Sequence, residues 1–503
     1  SGSFEKIYSC VLNHCLKDNK DISKRNIGRW VKYERGSDYM PLVNSLKGYN
    51  TGWCTAGEST AQTQLANGDF YVYYTLDEND EYKVPRIAIR MEANRIAEIR
   101  GIAKDQNIES EMEEIIEEKL KEFPDAEVYH KKVSDMKELT KIYKKHQNNQ
   151  ELTKDELRFL YEIDNQIIGF GYSVDPRIPE IINERSLKKD LSFVFDCRMD
   201  QIVLEDEEIK DDTVFYMGDL DFSNLTSAEG LILPRCMSGT LDLSNLTSSK
   251  GLILPQTIGG DLNLFSLTSA EGLVLPKNIG NILFLSSLTS AVGLVLPEHI
   301  GNSIDLGSLT SAEGLVFPEK MLGSLLLNSL TSAKGVVLPK KINDLNLACL
   351  TSAEGLILPE NISGTLILYS LENANNLVFP EYMQNLFLNS LTSAEGTVLP
   401  KYIGENLDLG SLESVKGLVL PEHIGVNLLL YNLKSSEGLN LTNIGKGLYL
   451  DVLKVDDIII PEPLNYNIYM KGLRITPENV YKYRKKHKKL NKHRNNQKNI
   501  FND

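Results

Sequence analysis

The stretch "YNTGWCTAGESTAQTQL", Tyr49 to Leu65, holds the residues whose types and spacing could do chemistry. Gly52 permits a tight turn, Cys54 follows Trp53, and Ser59 to Leu65 reads as a short helix. A thiol just before a helix start meets the positive end of the helix dipole, which favours the thiolate. That is a common construction for a nucleophilic cysteine, and it needs a base. The candidates are His14, taken as the partner of Cys54, and His130; both are distant in sequence, and Glu58 is a poor substitute. The competing reading is a Trp53–Cys54 pair packed against a sheet, since free cysteine is among the most buried residue types.

Around this stretch the chain reads as a small α+β domain over residues 1–125. "DFYVYYTL" (Asp69 to Leu76), "PRIAIRME" (Pro85 to Glu92) and "RIAEIRGI" (Arg95 to Ile102) have the pattern of consecutive antiparallel strands. Arg90, Glu92, Glu98 and Arg100 fit cross-strand ion pairs. With Cys54 and Gln106 beside a cleft, the same groups could hold a polar ligand. A helix is expected over Ile108 to Phe123. A helical connector, 126–190, would carry helices at Lys131 to His146 and Lys154 to Ile168, the second opened by a capping box of Thr153 and Glu156. Segments at Leu191 to Cys197 and Thr213 to Tyr216, within 191–216, read as strands that cap the open end of a repeat array.

From residue 217 to 475 the sequence repeats itself. Copies of "LTSAEGLVLP" (Leu267 to Pro276) begin at leucines from Leu225 to Leu433, every step 20 or 21 residues, about eleven in all. Such a period marks a solenoid, whose coils bury their apolar sides only by stacking. Between copies lies an alternating L-x-L, such as Leu262-Asn263-Leu264, the period-two signature of a strand, so one strand per coil should build a parallel sheet. The proline of each copy belongs on the returning side. The two 20-residue steps, Leu330 to Leu350 and Leu371 to Leu391, lose a residue where other coils carry an Ile-Gly turn.

On these residues the chain resembles short bacterial leucine-rich repeat proteins, over about Met217 to Asp451. It departs from them in placing Ser266, Ser287, Ser308, Ser329, Cys349, Ser370 and Asn432 where a turn-bonding asparagine is usual. The resemblance implies a parallel sheet on a concave face. The amino-terminal segments "TGWCTAGE", "GDFYVYY" and "IAEIRGIAKDQN" resemble those of uncharacterised proteins of candidate-phyla bacteria, in which such a domain precedes repeats of this kind. That likeness implies a bacterial protein and no activity.

A repeat scaffold with no partner should keep the middle residue of L-x-L polar. Here Phe284, Leu326, Ile367, Phe387, Leu429 and Tyr449 interrupt a column of Asp and Asn, and the column two residues on adds Phe265, Tyr369 and Tyr431. Aromatics with an acidic fringe suit a protein-binding surface on the concave face; a segment of the chain itself could instead cover the stripe. The expected function is recognition of a protein partner. The alternative is a cysteine-dependent hydrolase or transferase in the first domain, to which the repeats bring substrate.

Composition bounds the rest. The 503 residues carry a net charge of −15, which disfavours bulk nucleic-acid binding. The tail, 476–503, is the exception, with nine basic residues between Lys482 and Lys498 against Glu478 and Asp503: a net +7, leaving −22 on the remainder. It could make a weak contact to an anionic surface or serve as a solvated cap. No run of about 18 apolar residues offers a membrane span. Six cysteines without CxxC spacing point to a reducing, cytoplasmic setting, with no cofactor or metal expected. Ser1-Gly2-Ser3 reads as an expression remnant with no signal peptide after it.

Overall fold

A computed structural model describes residues 27–49, 57–92, 95–102, 108–109, 112–123, 125–170, 174–205, 207–434, 444–451 and 463–483. The chain divides into two units, residues 1–133 with 170–172, and residues 134–169 with 173–503.

The first unit is built on an antiparallel sheet of four strands in sequence order, β1 (Gly28–Tyr33), β2 (Phe70–Leu76), β3 (Tyr82–Glu92) and β4 (Arg95–Gly101). Alternation sends Phe70, Val72 and Tyr74 to one face, where Leu42, Leu46, Ala61 and Leu65 of α1 (Met40–Leu46) and α2 (Glu58–Asn67) cover them. Tyr73, Ile87 and Ile89 meet Ile116 and Leu120 of α3 (Glu113–Leu120) on the other face. The expected pair Arg90 and Glu98 is in cross-strand register, with Nε and Oε2 3.9 Å apart, and Arg100 also bonds Glu98. The sheet is thus covered on both sides, and α1 and α2 bury Ala88 on the face that carries these ion pairs.

Helix α4 (Ala126–Gln147) carries the chain into the second unit. There α5 (Lys154–Leu160) starts in the expected capping box: Glu156 N donates to Thr153 Oγ1 and Thr153 N donates to Glu156 Oε2. It stops at Leu160, eight residues before the expected end, with Glu162 at φ +52°. Helices α6 (Arg177–Asn183) and α7 (Leu187–Phe195) follow. The expected strand at Leu191 to Cys197 is therefore wrong. Phe193, Val194 and Phe195 suggest a strand by composition, but Leu187, Leu191 and Val194 fall at helical spacing and turn one face into the core. The core formed there by Leu157, Leu160, Ile181 and Leu191 reaches Ile202, Phe215 and Cys236 at the start of the coils.

The coils form a β-solenoid of about eleven turns with parallel sheets. Among the described residues its main ladder has fourteen strands, from Leu220–Asp221 to Asn467–Met470 in parallel, closed by Leu473–Ile475, which turns back antiparallel. Registers match coil for coil: Leu262 lies between Leu241 and Leu283, and Asn263 between Asp242 and Phe284. Leu262, Leu264, Leu267 and Leu273 and their equivalents join one continuous buried core.

The corner read as an Ile-Gly turn carries a second parallel ladder, for example Thr257–Ile258 beside Asn278–Ile279. Two-residue strands are too short to show a period in sequence. This ladder runs unbroken for six strands to His299–Ile300, then restarts at Lys341–Ile342 and at Tyr382–Met383. Those are the two 20-residue coils, so the corner absorbs each deletion while the main ladder continues across it.

Candidate binding surface

The coil's turns explain most of "LTSAEGLVLP". In nine of the described copies the serine hydroxyl accepts from the amide two residues on, as Ser269 Oγ does from Glu271 N at 3.2 Å, and in the copy at Leu371 Asn373 Oδ1 accepts from Asn375 N in the same way. The glycine takes a left-handed conformation, φ +74° at Gly272, and the alanine is buried. In the coil where Asn376 replaces the glycine, φ is +64°, a conformation asparagine tolerates.

The middle column of L-x-L divides into two chemistries. Wherever it holds Asp or Asn, that side chain accepts the backbone N–H two residues on: Asp221 from Ser223, Asp242 from Ser244, Asn263 from Phe265, Asp305 from Gly307, Asn346 from Ala348, and Asp408 from Gly410, all at 2.8–3.1 Å. These are Asx turns that end the strand. The expected turn-bonding role of the serine before the repeat leucine therefore belongs to this column instead. The residues at that serine position bond through their own backbone amides to the preceding coil, as Ser266 N does to the Ser244 carbonyl.

Phe284, Leu326, Ile367, Phe387 and Leu429 have no side-chain acceptor, and the Tyr449 hydroxyl sits at the far end of its ring, so the six coils that carry these residues forgo this turn bond. Each is half-buried. Phe265 and Tyr369, in the next column, are 51% and 42% exposed, and Tyr431 is half-buried. The rings gather toward the carboxyl end. Tyr369 lies 5.8 Å from Phe387, Tyr431 meets Tyr449 edge-on at 6.2 Å, and Tyr449 stacks on Tyr469 at 4.6 Å and 9°. Tyr469 extends the column one coil beyond Tyr449, its last expected member; "NIYM" keeps the period with Ile and Met in place of leucine. Among these rings Asp408 is buried in register between Phe387 and Leu429. Burial pushes its carboxyl up, against the hydrogen bonds it accepts from Gly410 N and Asn389 Nδ2.

A second apolar column stands apart from the expected stripe. The middle residue of "LVL" in each copy, from Ile232 to Val419, is 47–81% exposed through ten consecutive coils. Neighbours in this column bridge in parallel, Val316 with Val337 and Val398 with Val419. A shallow depression of about 340 Å³ lies between two of them, lined by Val295, Leu296, Pro297 and Val316. The sequence does carry a signal for it: L-V-L alternates as L-x-L does, so its middle residue faces away from the core.

Cys54 and His14 lie outside the described residues, as do Gln106 and the basic tail from residue 484 onward. His130 stands on α4 with its Nε2 3.5 Å from Glu117. Among the described residues no group of three or more His, Cys, Asp or Glu is placed to hold a metal ion, and no helix is long and apolar enough to cross a membrane. In comparisons with protein-family models, curated proteins and solved structures, nothing matches this chain.

Proposed function

We propose that this chain is a recognition protein of the leucine-rich-repeat type, whose L-x-L face, the concave one, binds a protein partner toward its carboxyl end. The observation that carries this reading is the replacement of turn-bonding Asp and Asn by large apolar residues in six coils. Each replacement gives up a local hydrogen bond and presents a half-buried ring or branched chain to solvent, which folding alone does not favour. Aromatic groups that cluster beside carboxylates match the composition of interface centres.

The test is capture from a native lysate by the intact chain, compared with a variant carrying Phe387→Asn, Leu429→Asn and Tyr449→Asn. Asparagine fills this column at Asn263 and Asn346, where it makes the turn bond, so the scaffold is retained. Loss of a specific partner from the variant is expected; a partner retained at full strength would remove the reading.

A further inference from the structure

The ladder from Ile232 to Val419 is the longest exposed apolar feature among the described residues, and its flanks carry ordered charge. Three residues before each member stands the residue preceding the turn glycine, exposed in every coil. Along the solenoid this column nearly alternates in sign. Folded back on itself about the midpoint between Glu313 and Lys334, it places Glu229 opposite Lys416, Lys250 opposite Glu395, and Glu313 opposite Lys334. Its other members, Glu271, Val292, Glu354 and Asn375, form no like-charged pair in that arrangement. Sliding the fold by one coil sets Lys250 against Lys416, Glu271 against Glu395 and Glu313 against Glu354. The column after the proline obeys the same midpoint, with Arg235 opposite Glu422, Lys277 opposite Glu381 and Glu319 opposite Lys340, against one like pair, Glu298 and Glu360.

We propose that this stripe is a self-association face on which a second copy of the chain docks antiparallel, about a two-fold axis passing between Val316 and Val337. A two-fold axis lying across the stripe brings each charged column against its own reverse, which is the pairing that the signs satisfy. A parallel pairing would instead oppose the two columns coil by coil; it matches Glu229 with Arg235, Glu271 with Lys277, Glu395 with Lys401 and Lys416 with Glu422 but puts Glu313 on Glu319, Lys334 on Lys340 and Glu354 on Glu360, three like pairs where the antiparallel fold has one. Like charges directly opposed are destabilising, so the pattern selects both orientation and register.

Ten coils at a spacing of about 4.8 Å make a stripe roughly 43 Å long. The two charged columns are six residues apart, at most about 20 Å, so the stripe and its flanks offer up to about 860 Å² of face per copy, close to the ~800 Å² per partner of a standard interface. The seam is apolar and rimmed by exposed ion pairs, so salt should weaken the dimer.

This inference is independent of the L-x-L reading, since it concerns another column and is read by mass rather than by partner capture. Sedimentation of the intact chain at micromolar concentrations should show a monomer–dimer equilibrium. Glu313→Lys alone, or Lys334→Glu alone, creates like-charged contacts twice over through the two-fold axis and should weaken the dimer by roughly tenfold or more. The double variant restores opposite signs and should recover it. Circular dichroism of each variant separates loss of pairing from loss of fold. A monomeric wild type, an open-ended assembly, or a dimer indifferent to both single reversals would overturn the proposal.

Discussion

Replacing Leu429 by asparagine tests the division of the L-x-L column most directly, because the two side chains are nearly the same size. Leu429 is half-buried between Asp408 and Tyr449, so its removal forfeits about half of the 1.5–3 kcal/mol that full burial of a leucine contributes, roughly 1 kcal/mol. Asparagine at this position can accept from Tyr431 N as Asn263 does from Phe265 N, a bond that contributes about 1 kcal/mol. The two nearly cancel. Leu429→Ala has the loss without the gain, so Leu429→Asn should be about 1 kcal/mol more stable than Leu429→Ala. Urea unfolding of both variants supplies the comparison, and hydrogen exchange at the Tyr431 amide reports the bond itself. Long repeat arrays do not always unfold in a single step, so the amide is the sharper readout. If Leu429→Asn is no better than Leu429→Ala and the Tyr431 amide gains no protection, the idea that the apolar residues displace a turn acceptor fails, and the recognition reading loses its main support.

Two other perturbations probe the scaffold. Glu156, with its side chain 3% exposed, is desolvated by burial, yet bonds from Lys145, Thr153 N and Lys141 outweigh this and hold its carboxyl down to about 2 against an ordinary 4.5. A depressed folded-state value stabilises above the unfolded one, so this contribution is intact above about pH 4.5 and is lost as the pH falls through about 2. Glu156→Gln should cost about 2 kcal/mol at neutral pH, a figure discounted because Lys141 is open to solvent, and should flatten the acid limb of urea-unfolding stability plotted against pH. At the glycines, Gly314→Ala should cost about 1 kcal/mol, because φ is +80° but no atom lies within 4 Å of an added Cβ. Gly280→Ala should cost several times more when thermal melts of the two variants are compared, since its Cβ would fall 2.0 Å from the Gly259 carbonyl oxygen.

What the sequence displays is whatever recurs with a readable period. The L-x-L leucines, the deletions at the corner and the Thr153–Glu156 capping box all follow from local rules acting on a few adjacent residues. The corner ladder does not show, because Thr257–Ile258 is a strand only through its neighbours 21 residues away on either side. The helix Leu187–Phe195 is masked by a Phe-Val-Phe run whose composition favours strands, and only packing against Leu157 and Ile181 decides for helix. On the binding surface, six apolar residues are legible as departures from a polar column. The reason the others are polar is not, since an Asx turn is visible only once the amide two residues on is placed. The exposed valines escape notice because the turn residues and proline around them mark the whole segment as scaffold.

The unbroken main ladder also has a mechanical consequence. Its hydrogen bonds run along the stacking direction, so tension applied through the end of the array loads one coil's bonds at a time and not the whole sheet together. Each coil peeled away frees 20 or 21 residues, which can extend at most about 75 Å at 3.3–3.6 Å per residue. The solenoid would lengthen under pull in near-equal increments, a spring that gives way turn by turn while the coils not yet reached keep their register.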